Sequence, residues 1–153
     1  MLPVILALAL GFNFLNGFHD SSSLVATVIS SRSLHPRAAL VLAALAEFAG
    51  PFLFGLAVAT TVGSDLLHPD AISLPVLAAA LASAVLWNIL TWYVGMPSSS
   101  SHALLGGLMG SAVLAAGVQV IQVPGLTRIL IALFVSPPLG LVAGFLVMRL
   151  TLW

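Results

Sequence analysis

Residues 13–23 read Asn13-Phe14-Leu15-Asn16-Gly17-Phe18-His19-Asp20-Ser21-Ser22-Ser23, inside a run from Met1 to about Ser31 that is apolar on both sides of them. A helix needs about 20 apolar residues to cross a hydrocarbon core of roughly 30 Å, so this run is long enough to span a bilayer with a polar patch at depth. A carboxylate there costs about 2.5–3.5 kcal/mol on insertion scales, which makes Asp20 a functional candidate by default. Gly17 weakens the helix locally, and the expectation is a span broken in its middle. The bland alternative is a polar patch that only ties helices together. An adjacent His and Asp at this depth are more than packing requires.

Composition points the same way. Of 153 residues, 61% are hydrophobic and 5% charged, with mean hydropathy +1.21. A soluble domain carries about 25% charged residues to cover its surface; this chain has too few unless its surface faces lipid. The charged residues are four Arg, three Asp and one Glu, with zero net charge, so no basic face for nucleic acid exists. With no Cys, disulfides and thiolate chemistry are excluded.

Working outward, Arg32 to Arg37 forms a basic loop, and a second span runs from about Ala38 to Gly63, interrupted by Glu47 and Pro51. A loop over 64–72 follows, with Asp65, His68 and Asp70 read as solvated. A third span covers about Leu74 to Val94. The run Ala103–Val118 is short for a crossing, and a last span covers about Arg128 to Leu152, kinked at Ser136-Pro137-Pro138. Basic loops stay cytoplasmic, which puts Arg32 and Arg37 inside and the amino terminus outside. The fold expected is an all-α polytopic membrane protein of about four to five transmembrane or re-entrant segments, a single transmembrane domain over 1–153.

A second constellation precedes the short run: Gly95-Met96-Pro97-Ser98-Ser99-Ser100-Ser101-His102-Ala103. Pro followed by Ser and then apolar residues reads as a helix amino terminus. Free N–H groups and the positive end of the helix dipole emerge there beside four hydroxyls, an oxyanion site in kind without Lys or Arg. An ordinary capped helix start reads equally well locally. In the first constellation, carboxylate, amide and hydroxyl oxygens suit a hard cation, and His19 suits a proton relay. Discontinuous helices whose amino termini meet an anion are the build of a secondary transporter. Glu47, mid-span, reads as part of the ion path. Asn88 either lines the same cavity or makes an interhelical hydrogen bond.

At these same segments the chain resembles the inorganic phosphate transporter (PiT) family, in particular its bacterial low-affinity members. Asn16-Gly17-Phe18-His19-Asp20 with Val25-Ala26-Thr27-Val28-Ile29 is similar to the first family signature. Trp87-Asn88, Thr91-Trp92-Tyr93 and Gly95 to Gly106 are similar to the second, and Val135-Ser136-Pro137 with Gly140-Leu141 matches more weakly. The resemblance implies symport of inorganic phosphate with H⁺ or Na⁺, with a metal–phosphate complex as one form of the cargo, and no enzyme activity or resident cofactor. It implies phosphate binding by Ser99, Ser100 and Ser101 and a place on the ion and phosphate path for Asp20. Together with the reading of the residues themselves, the candidates are Ser99, Ser100, Ser101 and His102 for phosphate and Asn16, His19, Asp20, Ser23 and Glu47 for ion coupling, and no resident metal ligands are assigned. Ser23 stands where the family pattern has Asn, which alters the ligand count.

The family carries two inverted repeats, and this chain matches the amino-terminal one. A site made at a repeat interface needs both repeats. The expected partners are therefore the lipid bilayer, phosphate and a second repeat, supplied as a separate chain, an antiparallel copy or a remaining carboxyl-terminal half. The rival readings are a carrier of another oxyanion, such as sulfate or arsenate, and a non-transporting membrane scaffold or remnant.

Overall fold

Apolar runs of this length become helices because a backbone in lipid must satisfy its own hydrogen bonds. The structure is a computed structural model and describes residues 1–54 and 65–151. It contains α1 (Leu2–Ser30), α2 (Pro36–Phe54), α3 (Leu74–Tyr93), α4 (Ser100–Ala116) and α5 (Val123–Thr151), with short 3-10 turns at Pro69–Ala71 and Val118–Val120. Helices α1, α2, α3 and α5 are long and apolar enough to cross a membrane, and α4 is shorter. The chain is an integral membrane protein built from helices. The expected continuation of the second span over 55–63 lies outside the described residues, as does Leu152.

The first span is not broken: α1 runs without interruption through Asn13–Ser23. Its serines explain why. Ser21 Oγ donates to the Phe18 carbonyl (3.1 Å) and Ser22 Oγ to the His19 carbonyl (2.9 Å), so the hydroxyls are absorbed by the helix instead of competing with it. A single Gly costs about 1 kcal/mol, too little to break a helix of 29 residues. Pro137 and Pro138 lie inside α5.

The packed centre is the pair α3–α4, with α1 against α3 and α2 against α1. Every fourth residue on α3, Val76, Ala80, Ala84 and Asn88, is buried, and on α4 so are Ser100, Leu108 and Ala112. The small residues let the backbones approach closely, which is how helices associate in lipid. A Cβ at Gly107 would fall 2.7 Å from the Ala80 carbonyl oxygen. Helix α5, by contrast, buries only Gly125 among its described residues.

The loop before α3 and the connection before α5 are tied together away from this centre. Leu67 bridges Ile121, His68 N–H donates to the Val120 carbonyl (2.9 Å) and Gln122 N–H to the Leu66 carbonyl (2.9 Å). Leu66 and Leu67 are fully buried beneath this bridge. Asp65 is not simply solvated: Arg128 Nη1 donates to its Oδ2 at 2.8 Å.

Candidate ion and oxyanion site

The tip joining α3 to α4 positions the serines. Gly95 takes a φ of +66°, the left-handed conformation that suits glycine at a helix end. Ser99 then caps α4: its Oγ accepts the His102 N–H at 3.4 Å, and its carbonyl accepts the Ala103 N–H at 3.1 Å. Among the described residues this leaves the N–H groups of Ser100 and Ser101 as open donors at the amino terminus of α4, where the helix dipole is positive. Trp87 Nε1 donates to Ser98 Oγ at 2.9 Å and holds the tip to α3.

Ser100 is 0% exposed and its Oγ has no hydrogen-bond partner. On the facing helix, Asn88 is 1% exposed with Nδ2 and Oδ1 both unpartnered. These are costly atoms to bury without a partner, about 1–3 kcal/mol each.

The first constellation reaches the tip through α3. Thr91 Oγ1 lies 3.5 Å from His19 Nε2 and also donates to the Trp87 and Asn88 carbonyls, at 2.9 and 3.2 Å. Phe18 and Trp92 meet edge to face at 5.9 Å between ring centres. A groove of about 470 Å³ is lined by His19, Ser21, Ser22 and Ser23 on α1 and by Thr91, Trp92 and Gly95–Pro97 on the other side. The tip therefore stands beside Ser21–Ser23, leaving Leu24–Ser30, about 10 Å of helix, beyond it.

A larger groove of about 920 Å³ opens on the other flank of the hairpin, with Trp87, Ser98, Ser99 and His102 at the tip end and Gly106, Gly107 and Gly110 along its floor. Pro97 lines the first groove and Ser98, the next residue, lines the second. Of the predicted residues, His19 and Ser23 thus share one groove, Ser99 and His102 share the other, and Ser100 is buried. Ser101 is exposed at the start of α4.

Asp20 lies 3.8 Å from His19, Oδ1 to Nδ1, and its side chain is 39% exposed. Asn13, Asn16, Asp20, Ser23 and Thr27 follow one another at spacings of three and four, which makes a single stripe along α1. Every one of them is exposed or half-exposed. Glu47 is exposed on α2. Thr91, the link between the constellations, stood in the second signature without a site role of its own; the signal for one was its place three residues after Asn88 on the buried stripe of α3.

Comparison with known proteins fits this layout. The sequence profile of the phosphate transporter family matches residues 16–153. The chain is similar to a probable low-affinity inorganic phosphate transporter of Bacillus subtilis, 42% identical over 94% of this chain and 43% of the relative. It is also similar to one of Rhizobium meliloti, 41% identical over 100% of this chain and 46% of the relative. To the low-affinity inorganic phosphate transporter PitA of Escherichia coli it is 39% identical over 98% of this chain and 33% of that protein. The chain spans about half the length of the first two relatives, or somewhat less. No solved structure matches it significantly. With its profile running from the middle of α1 through the rest of the chain, residues 16–153, the chain belongs to the phosphate transporter family.

Proposed function

We propose that this chain is one half of an ion-coupled inorganic phosphate symporter of the plasma membrane, not an enzyme. Phosphate is held at the amino terminus of α4 by Ser99, Ser100, Ser101 and His102. The coupling ion, H⁺ or Na⁺, is held on the α1 side by Asn16, His19, Asp20 and Ser23, with Glu47 on its path. A metal–phosphate complex is a cargo compatible with the same donors, since carboxylate and hydroxyl oxygens suit a hard cation.

The observation that carries this reading is the amino terminus of α4, with its open donors and the buried, unpartnered Ser100 Oγ, set against the His19 side of α1 through Thr91. An anion is favoured there by the dipole and the N–H groups. A cation on the α1 side offsets part of the cost of bringing that anion into a low dielectric.

The second half is supported by the exposed stripe Asn13–Asn16–Asp20–Ser23–Thr27 and by exposed Glu47. Polar and ionisable side chains on membrane helices face protein or a water-filled cavity, not lipid. Among the described residues, that stripe stays exposed or half-exposed. A second repeat would cover it and close the site, as in transporters built from inverted repeats.

The test is uptake of labelled phosphate into proteoliposomes under imposed H⁺ or Na⁺ gradients, for the chain alone and together with a second repeat. The expected result is uptake that needs both repeats and follows one of the two gradients. Full uptake by the monomeric chain alone would refute the half-transporter reading, and uptake indifferent to both gradients would refute coupling.

A further inference from the structure

Two contacts fix the register of the antiparallel pair α3–α4. Ser111 Oγ donates to the Val76 carbonyl at 3.1 Å, and Gly107 lies against the Ala80 carbonyl. One turn nearer the tip, Ala103 comes level with Ala84. A further turn brings Ser99 and Ser100 level with Asn88. The Trp87–Ser98 hydrogen bond continues this register at the tip itself. Asn88 and Ser100, the described residues with buried and unpartnered side-chain polar atoms, therefore belong to one level of one interface.

A helix amino terminus alone is no evidence of a ligand, because capping explains it. Here Ser99, and not Ser100, does the capping. Asn88 contributes a carboxamide whose donor and acceptor are both free, in an interior that water does not reach. Buried polar groups nearly always have a partner, and a bound ligand is one that would supply it. The partner at this end of α4 is an anion, because the positive end of the dipole and the open N–H groups disfavour a cation.

We propose that Asn88 is a ligand of the transported anion and sets its selectivity: Nδ2–H donates to an anion oxygen, and Oδ1 accepts the P–OH proton of a protonated phosphate. This rests on the reading of Ser99–Ser101 as the phosphate site. Near neutral pH phosphate keeps at least one proton, whereas sulfate has none. A sulfate oxygen would meet Oδ1 lone pair to lone pair. Sites built to hydrogen-bond a particular substrate group reject analogues that lack it, because the buried polar atom is then left unpaired.

The experiment compares Asn88→Leu with the wild type in the protein as its own reading frame encodes it, reconstituted in proteoliposomes. It reads the KM for labelled phosphate, the inhibition constant of sulfate and the thermal unfolding midpoint. Leu keeps the branched shape of Asn and removes two unpaired polar atoms, but it is the larger side chain, so overpacking offsets that gain and the midpoint changes little. The KM for phosphate rises by about tenfold or more, and the preference for phosphate over sulfate narrows by a similar factor. A fall in midpoint with KM and selectivity unchanged would mean that Asn88 only ties helices, and would overturn the proposal. A rise in KM with selectivity unchanged would overturn the acceptor role. Ser100→Ala and Ser101→Ala separate the two levels of inference. If neither raises KM, the serine site itself is wrong; if they do and Asn88→Leu does not, the error lies with Asn88 alone.

Discussion

Gly107→Ala tests the packing that sets the tip in place. A Cβ there would sit 2.7 Å from the Ala80 carbonyl oxygen, where 3.4 Å begins ordinary contact, so α3 and α4 must part by about 0.7 Å. The obstacle is backbone and cannot rotate away. Overpacking of this kind costs up to about 3 kcal/mol, and replacing Gly by Ala in a helix returns about 1 kcal/mol, for a net loss of about 2 kcal/mol. The same separation would stretch the Ser111–Val76 hydrogen bond, now 3.1 Å, beyond useful length. Ser111 keeps its second bond to the Leu108 carbonyl, so this adds little. At 2–4 °C per kcal/mol the unfolding midpoint falls by about 4–8 °C, read by Trp fluorescence on the chain in detergent micelles. Gly110→Ala is the control: its Cβ would meet nothing within 4 Å, so the propensity gain is unopposed and the midpoint holds or rises. A Gly107→Ala variant as stable as the wild type, or a Gly110→Ala variant equally damaged, would refute the close approach of α3 and α4.

Further outcomes follow from the same contacts. Gly125→Ala would drive a Cβ into the Asp65 carbonyl and should disrupt the bridge between 65–68 and 120–122, seen as faster amide exchange at His68 and Gln122. Arg128→Met removes the ion pair with Asp65 and should cost at most about 1 kcal/mol, since the two side chains are 69% and 37% exposed; the loss should vanish in high salt. Trp87→Phe keeps the ring but frees Ser98, costing about 1 kcal/mol in thermal stability and increasing proteolytic cleavage at the tip.

How much of this was legible in the sequence depended on whether the signal was local. Length and hydropathy revealed the spans because the bilayer imposes a length on every helix that crosses it. Pro97 and the serines after it marked a helix amino terminus without fixing its first residue, since capping is settled within one turn; the structure starts α4 at Ser100 with Ser99 as its cap. The same local logic misread Asn13–Ser23. Polar residues that could have broken α1 were absorbed by back-bonding from Ser21 and Ser22, and a helix in lipid keeps its hydrogen bonds where a loop would lose them.

The roles of Asn88 and Thr91 depended on register between helices, which spacing along one helix does not contain. The Val76–Ser111, Ala80–Gly107 and Trp87–Ser98 contacts between the helices place Asn88 at the level of Ser100. Asp65 read as solvated because its partner, Arg128, is 63 residues away. The exposed stripe on α1 was visible as polar residues but not as a face, until the structure left it uncovered.

The central claim is that the amino terminus of α4 and the polar stripe of α1 form one phosphate and ion site. Its most direct test is labelled phosphate uptake by proteoliposomes carrying the protein as encoded, with Ser100→Ala and Asp20→Asn compared with the wild type at matched reconstitution. The account predicts that Ser100→Ala raises KM for phosphate about tenfold or more and that Asp20→Asn abolishes the response to the driving ion gradient. Wild-type uptake kinetics in both variants would contradict it.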